Sequence, residues 1–424
     1  MVGRIGTAGM LVFALAACAG GGGGPATPSS AAAAAQPSPA TSQKPMGDEV
    51  QRLVKAMSRE EKVGQLFMPV VYGTAADTVS GENRARFGAQ TPAKVVAKYH
   101  LGGVILFPAN VKSTAQVVKL ANGLQDASKR VPLLIGTDQE NGLVSRMSAL
   151  MTDLPSADRI GATGDTEFSR AVARATGDEL KALGVNLDFA PVADVNLNPR
   201  NPVIGRRAFG DDPAKVAKMV SAAVKGFGDA GVASTAKHFP GHGDTATDSH
   251  TGLPVIKHTR AQWEKLDAPP FKAAIDAGVD AVMSAHIVMP KLDDSGDPAT
   301  LSKPILTGLL RDKLGFKGVI STDALNMGGV RKKYGDGEVA VRAVLAGADL
   351  LLMPADFPKA YNAVLGAVKS GRITEARLDA SVTRLLTLRK NRGFLTEAPR
   401  ASAEQAAKVL RSAKHRKLAA RAAG

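Results

Sequence analysis

The sequence predicts an α/β protein: a single (β/α)8, TIM-like barrel behind a disordered N-terminal tether. Three observations predict it. Short apolar runs alternate with amphipathic helical patterns eight times between residues 48 and 392. The runs are apolar throughout rather than at every second position, as parallel strands buried on both faces require. An open doubly wound sheet is the competing arrangement, but no GxGxxG turn follows the first run.

The elements follow in order. Asp48 to Met57 reads as a first helix, and Ser58-Arg59-Glu60-Glu61 as a capping box opening a second. Strands are expected at Leu66–Val71, Gly103–Phe107, Pro132–Asp138, Asn186–Asp194, Val232–Phe239, Asp280–Ile287, Gly318–Ala324 and Asp349–Pro354. Helices between them are expected at Thr91–Tyr99, with Pro92 in the first turn, and at Ser113–Ser128, Glu167–Leu183, Pro213–Ala230, Asp267–Ala277, Pro304–Lys313 and Asp336–Leu345. Two more, from Pro358 and Thr374, close the domain near Arg392.

The ends of the chain read differently. Arg4, the apolar stretch Met10–Ala17 and Leu15-Ala16-Ala17-Cys18 resemble a bacterial lipobox, which implies cleavage before Cys18 and lipidation of its sulfur. An ordinary secretory signal with an incidental cysteine is the plainer alternative. Cys18 is the single cysteine, so no internal disulfide can form. Residues 19–45 are mostly Gly, Ala, Ser and Pro with almost no charge, a composition that tethers rather than packs. The expected organisation is therefore a signal peptide at 1–17, a lipidated cysteine and linker at 18–45, a barrel at 46–395 and a basic tail at 396–424, helical if ordered.

Composition excludes little. Hydrophobic residues make up 44% and charged residues 22%, which is ordinary for a globular chain. The net charge of +15 fits nucleic acid, an anionic membrane or an acidic polymer as a partner, or general solubility in a basic proteome. No zinc-finger spacing or aromatic-plus-basic RNA motif accompanies it, so nucleic acid is not expected as a partner.

In such barrels the chemistry lies at the C-terminal ends of the strands. Those ends carry Asp138-Gln139-Glu140, Asp194 with Arg206 and Arg207 farther on, Lys237-His238, His286 and Asp323, and the opposite ends read as far less polar. Such a ring suits a hydroxyl-rich small molecule oriented by charged contacts. Lys237–Pro254, KHFPGHGDTATDSHTGLP, leaves the fifth strand as a long polar loop with Gly241, Gly243 and Gly252 as expected hinges. Asp323 is a strand-end aspartate that reads as a nucleophile or a helix N-cap. Asp248 and His250, two apart, read as an acid/base dyad or as incidental loop polarity. Lys237 and His238 read as substrate ligands or as a salt-bridged rim. A metal centre drawn from His238, His242, Asp244, His250 and His286 is a further reading, although the first strand lacks the His-x-His that metal-dependent barrel hydrolases place there.

With these residues assembled, residues 48–392 resemble a bacterial β-N-acetylglucosaminidase of glycoside hydrolase family 3. The resemblance rests on Thr137-Asp138-Gln139-Glu140, on Asn201-Pro202-Val203-Ile204-Gly205 with Arg207-Ala208-Phe209, on the KHFPGHG…DSH…LP stretch, and on Ser321-Thr322-Asp323-Ala324-Leu325. It implies Asp323 as nucleophile, His250 as acid/base with Asp248 as its partner, and sugar binding by Asp138, Arg146, Arg207, Lys237 and His238. It implies no metal and no cofactor. Asn141 and Leu143 depart from the family's DQEGGRV, where glycine and arginine stand. The implied activity is retaining removal of terminal N-acetylglucosamine, and the location expected from the lipobox, a monomer held at the extracytoplasmic membrane face through its lipid, points to exo-action on peptidoglycan fragments such as muropeptides. Phosphorolysis, a metal-dependent hydrolase, a solute-binding lipoprotein and an inactive wall-binding barrel are the competing readings.

Overall fold

The computed structural model describes residue 24 and residues 46–247, 252–331 and 333–421. The signal peptide, Cys18, the tether and the Asp248–His250 dyad fall outside the described residues. Residues Met46–Gly424 form one unit by their contacts.

Ten strands are described: β1 (Phe67–Met68), β2 (Gly103–Ile105), β3 (Leu134–Thr137), β4 (Gln139–Asn141), β5 (Val144–Ser145), β6 (Leu187–Asp188), β7 (Ala233–Phe239), β8 (Ala281–Ser284), β9 (Val319–Ser321) and β10 (Leu351–Leu352). Six make one parallel sheet in the order β2-β3-β6-β7-β8-β9, and β1 pairs in parallel with β10. Single parallel bridges, Val70 to Ile105 and Ser321 to Leu350, tie that pair to the two outer strands of the sheet. The parallel strands are buried along their length, which is why they read as unbroken apolar runs.

Helix ends are set by local chemistry. Pro213–Ala230 starts where Asp212 accepts the Lys215 N–H at 2.7 Å and Pro213 supplies a preset φ. It stops at Gly231, whose φ of 77° is open to a residue without Cβ. The Ser58–Glu61 capping box forms as read. Phe357 stacks its edge on Phe67, Phe87 and Tyr99, so one aromatic cluster anchors the start of Phe357–Lys369 against β1.

Three expectations need correction. The fourth strand ends at Asp188 rather than Asp194, because Pro191 has no N–H for the ladder and only Val192 bridges back, to Lys237. The N-terminal strand ends are not poor in polar groups. Asp349 accepts from Arg311, Arg377 and Arg384, and Asp280 pairs with Arg392 at 2.6 Å. Gly241 and Gly243 are points of close packing rather than hinges. A Cβ on Gly243 would lie 1.6 Å from the Val195 carbonyl, and one on Gly241 would lie 2.6 Å from Asp267 Oδ1.

Beyond the expected elements, the structure adds the β4–β5 hairpin and helices Gly81–Phe87, Ala157–Thr163 and Arg260–Leu266, and within the basic tail, expected to be helical if ordered, it forms helices Ala403–Val409 and Ala413–Ala420. Among the described residues no helix is long and apolar enough to cross a membrane.

Candidate active site

The C-terminal ends of β3, β7 and β9, with the hairpin and the turn at Gly205–Arg207, enclose a cavity of about 450 Å³. Asp138, Arg146, Arg207, Lys237, His238 and Asp323 all line it. The structure thus brings together six of the eight predicted catalytic and binding residues, from positions up to Asp323 in β9's loop. The other two, Asp248 and His250, lie outside the described residues.

Backbone irregularity explains two of these. Successive residues of a regular strand face opposite sides. The β7–β8 register shifts between Lys237 and Phe239, and this bulge lets Lys237 and His238 both face the cavity.

A buried charge network forms the floor. Lys237 Nζ lies 2.7 Å from Asp138 Oδ1 and 2.6 Å from Glu140 Oε1. Arg207 clasps the same Glu140 through Nε at 2.7 Å and Nη2 at 2.8 Å. Burial pushes the Glu140 carboxyl up, but Lys237 and Arg207 outweigh it and hold it far below the usual carboxylate range. Lys237 is raised in turn: burial opposes its charge, and Asp138 and Glu140 more than compensate. The sequence reading named Glu140 only as part of a polar strand end. Its spacing two residues from Asp138 was the available signal.

Asp194, named only as a strand end, orients His238. Its carboxylate accepts the His238 Nδ1–H at 2.7 Å and the His242 backbone N–H at 2.7 Å. With Nδ1 committed, His238 Nε2 faces Arg207 Nη2 at 3.4 Å as an acceptor in the cavity. Arg146 stands over the Phe107 ring at 5.2 Å, and its buried Nε meets no acceptor among the described residues. That leaves a donor for a bound ligand.

Asp323 follows β9 and accepts the Ala324 N–H at 2.7 Å. Burial raises its carboxyl, but His286, His238, that N–H and Lys237 outweigh the effect and hold it ionised below the usual aspartate range. His286 Nε2 lies 3.0 Å from the Ala324 carbonyl and Nδ1 lies 2.8 Å from Thr300 Oγ1. It therefore braces the turn just after Asp323.

The two departures from the resembled motif separate cleanly. Asn141 has φ 68°, a conformation that Gly and Asn adopt most readily, and its Nδ2–H donates to Thr176 Oγ1 at 3.0 Å. Leu143 stands at the hairpin tip, 68% exposed, on the cavity rim.

Of the described metal-ligand candidates, His238 and His242 both meet Asp194 while His286 meets Thr300, and among the described residues no group of three His, Cys, Asp or Glu is arranged to hold a metal ion. Asp244 instead accepts from His258 Nε2 at 2.9 Å, while His258 Nδ1 meets Asp267 at 2.6 Å. Trp263, fully buried against Phe239, donates to the Pro240 carbonyl at 2.9 Å. Pro240 and Asp244 on one side, and His258 on the other, are thus tied to the Arg260–Leu266 helix or its C-cap and N-terminal approach.

The His258 bridge has a pH signature. The Asp267 hydrogen bond raises the His258 pKa against the opposing effect of burial. Its stabilisation is therefore full below the unfolded histidine value of about 6.5 and lost as pH rises through the raised folded value. His258→Asn is expected to lower urea stability more at pH 5.5 than at pH 9. Equal losses at both pH values would show that the charged form contributes nothing.

The family model described as "Glycosyl hydrolase family 3 N terminal domain" matches residues 58–388. Beta-hexosaminidase A of Pseudoalteromonas piscicida is 40% identical over 374 residues, covering 80% of this chain and 61% of that protein. The beta-N-acetylglucosaminidase/beta-glucosidase of Cellulomonas fimi is 32% identical, covering 86% of this chain and 63% of that one. The chain thus spans a little under two thirds of the length of both relatives. The solved family 3 beta-N-acetylglucosaminidase of Paenibacillus sp. str. FPU-7 superposes with a TM-score of 0.78 at 42% identity, over 87% of this chain and 68% of that one. The chain belongs to glycoside hydrolase family 3.

Proposed function

We propose that the chain is a retaining, exo-acting β-N-acetylglucosaminidase that removes terminal N-acetylglucosamine from peptidoglycan fragments during wall turnover. The observation that carries it is Asp323, an ionised carboxylate lining the same cavity as the Asp138–Lys237–Glu140–Arg207 network. The relatives' names support the sugar.

In this reading the eight parallel strands and their bridges make one (β/α)8 ring whose C-terminal mouth is the cavity. Asp138, Arg146, Arg207, Lys237 and His238 hold the sugar's hydroxyls. An Asp323 oxygen bonds to the anomeric carbon as the glycosidic C–O bond breaks. His250, supported by Asp248, gives its proton to the leaving oxygen. His250 then takes a proton from water, whose oxygen attacks the anomeric carbon and releases Asp323 with net retention. No metal or cofactor takes part. Cys18 carries the lipid that keeps the monomer at the extracytoplasmic membrane face, where wall fragments are met.

The test is nitrophenol release by residues 46–424 from aryl β-N-acetylglucosaminide and aryl β-glucoside, with and without inorganic phosphate. Turnover of the acetamido sugar alone, indifferent to phosphate, is the expected result. Acceleration by phosphate with a sugar phosphate product would replace hydrolysis by phosphorolysis. No turnover of either sugar would remove the proposal. For the anchor, Cys18→Ala is expected to move the full-length chain from the membrane to the soluble fraction.

A further inference from the structure

The family match ends at residue 388, yet the chain continues as ordered structure to residue 421. This extension docks on the back of the loop that delivers Arg146. Residues 147–151 make a single tight turn, with the Met151 N–H donating to the Met147 carbonyl at 3.1 Å. Such a turn leaves its last carbonyls unpaired, and a cation that gathers them stabilises it. Arg411, from the link between the two C-terminal helices, does so. Its Nε donates to the Met151 carbonyl at 2.9 Å, and its Nη2 to those of Ser148 and Ala149 at 3.1 and 2.9 Å.

Arg411 is itself placed from a buried point. Glu179, fully buried in helix Thr166–Ala182, accepts the Arg411 backbone N–H at 3.0 Å and His415 Nδ1–H at 2.8 Å. The same carboxylate accepts both the Thr152 N–H at 2.7 Å and the Thr152 hydroxyl at 2.5 Å. One buried carboxylate therefore fixes the end of the Arg146 loop and the segment that grips it. The backbone at Arg411 has φ 51°, an uncommon conformation for a side chain of this size, which the Glu179 and carbonyl contacts hold in place. On the cavity side, the loop is secured by the Arg146 N–H on the Asp138 carbonyl at 3.2 Å and the Met147 N–H on Gln139 Oε1 at 3.0 Å.

We propose that the C-terminal extension is a strut for the sugar-binding loop. Arg411, seated on Glu179, is a positioning residue that holds the 147–151 turn and through it Arg146, so the extension sets affinity for the sugar and leaves the bond-breaking step alone. The inference rests on Arg146 contacting substrate, as the proposed function has it.

The experiment uses the full chain with Arg411→Met, which keeps the apolar stem and removes the fork, and with Arg411→Lys. On aryl β-N-acetylglucosaminide, Arg411→Met is expected to raise KM about fivefold with kcat within about twofold of the parent, the loss of hydrogen bonds of which some are exposed. Arg411→Lys restores part of the loss. In an Arg146→Ala background, Arg411→Met is expected to change KM no further. A KM unmoved by Arg411→Met, or an equal increase in both backgrounds, would overturn the strut. Hydrogen exchange of residues 147–151 gives a readout free of catalysis: Arg411→Met should speed it, and unchanged exchange sinks the proposal even if the enzyme turns over. A parent chain that turns over no acetamido sugar while its variant exchanges faster would instead remove the functional reading and keep the strut's mechanical half.

Discussion

Asp323→Ala is expected to lower kcat on aryl β-N-acetylglucosaminide by about 10⁴-fold or more while the folded state survives. The carboxylate is the proposed bond-forming atom, so its loss removes the covalent route and leaves only sugar binding and the proton donor. Folding should tolerate the change, because Asp323 makes one backbone hydrogen bond and no ion pair among the described residues. A second measurement fixes the role. Azide placed in the space left by the carboxylate attacks the anomeric carbon from the nucleophile's side. The aryl oxide leaves, and the product is an α-glycosyl azide. Recovery of activity with that product identifies Asp323 as nucleophile. Activity that survives in the variant without azide would place the nucleophile elsewhere.

The covalent route has a competitor in the substrate's own acetamido oxygen. That route slows steeply when the acetyl group is fluorinated, since the oxygen becomes a poorer nucleophile. With Asp323 as nucleophile, N-trifluoroacetyl and N-acetyl substrates are expected to react at similar rates. The depressed pKa of Asp323 adds a sign to the pH profile. Activity is lost only as pH falls through that lowered value, so the limb due to Asp323 lies below the ordinary aspartate range of about 3.9.

What the sequence made legible follows the reach of each signal. Pro213–Ala230 was read to the residue because Asp212, Pro213 and Gly231 punctuate it locally. The strands are legible in order, and their ends less well, because apolar runs continue past the last ladder bond: Leu66–Val71 holds only two residues of regular strand, with Val70 in a single bridge. The β4–β5 hairpin was invisible, since Gln139–Asn141 and Val144–Ser145 are short and mostly polar. Thr259-x-x-Gln262 is a capping box for Arg260–Leu266 that the sequence makes legible. The site residues were legible because they cluster beside strand ends in a motif. Their supports were not. Asp194 meets His238 across 44 residues and Glu179 meets His415 across 236, pairings that only the fold creates.

Glu140→Ala is expected to cost about 3–5 kcal/mol of unfolding free energy, the range for breaking one side of a buried ion pair. The argument is one of charge. Glu140 is the only carboxylate among the described residues that meets both Lys237 and Arg207, and its side chain is 4% exposed. With it gone, Lys237 keeps Asp138, but among the described residues Arg207 keeps only the Val203 carbonyl at 3.0 Å and the His238 contact. A buried guanidinium without a counter-charge must leave the site or take in water, and either movement withdraws a proposed sugar ligand. KM should therefore rise alongside the loss of stability. Glu140→Gln tests the charge separately from the shape. The amide keeps the volume but turns one acceptor into a donor facing cations, so it is expected to be nearly as damaging as alanine. Pairing Glu140→Gln with Arg207→Met should cost less than the sum of the two single changes, because the second removes the charge that the first strands. Strict additivity, or a Glu140→Ala chain that unfolds within about 1 kcal/mol of the parent, would mean that water already screens this network and that the cavity floor is softer than its geometry implies.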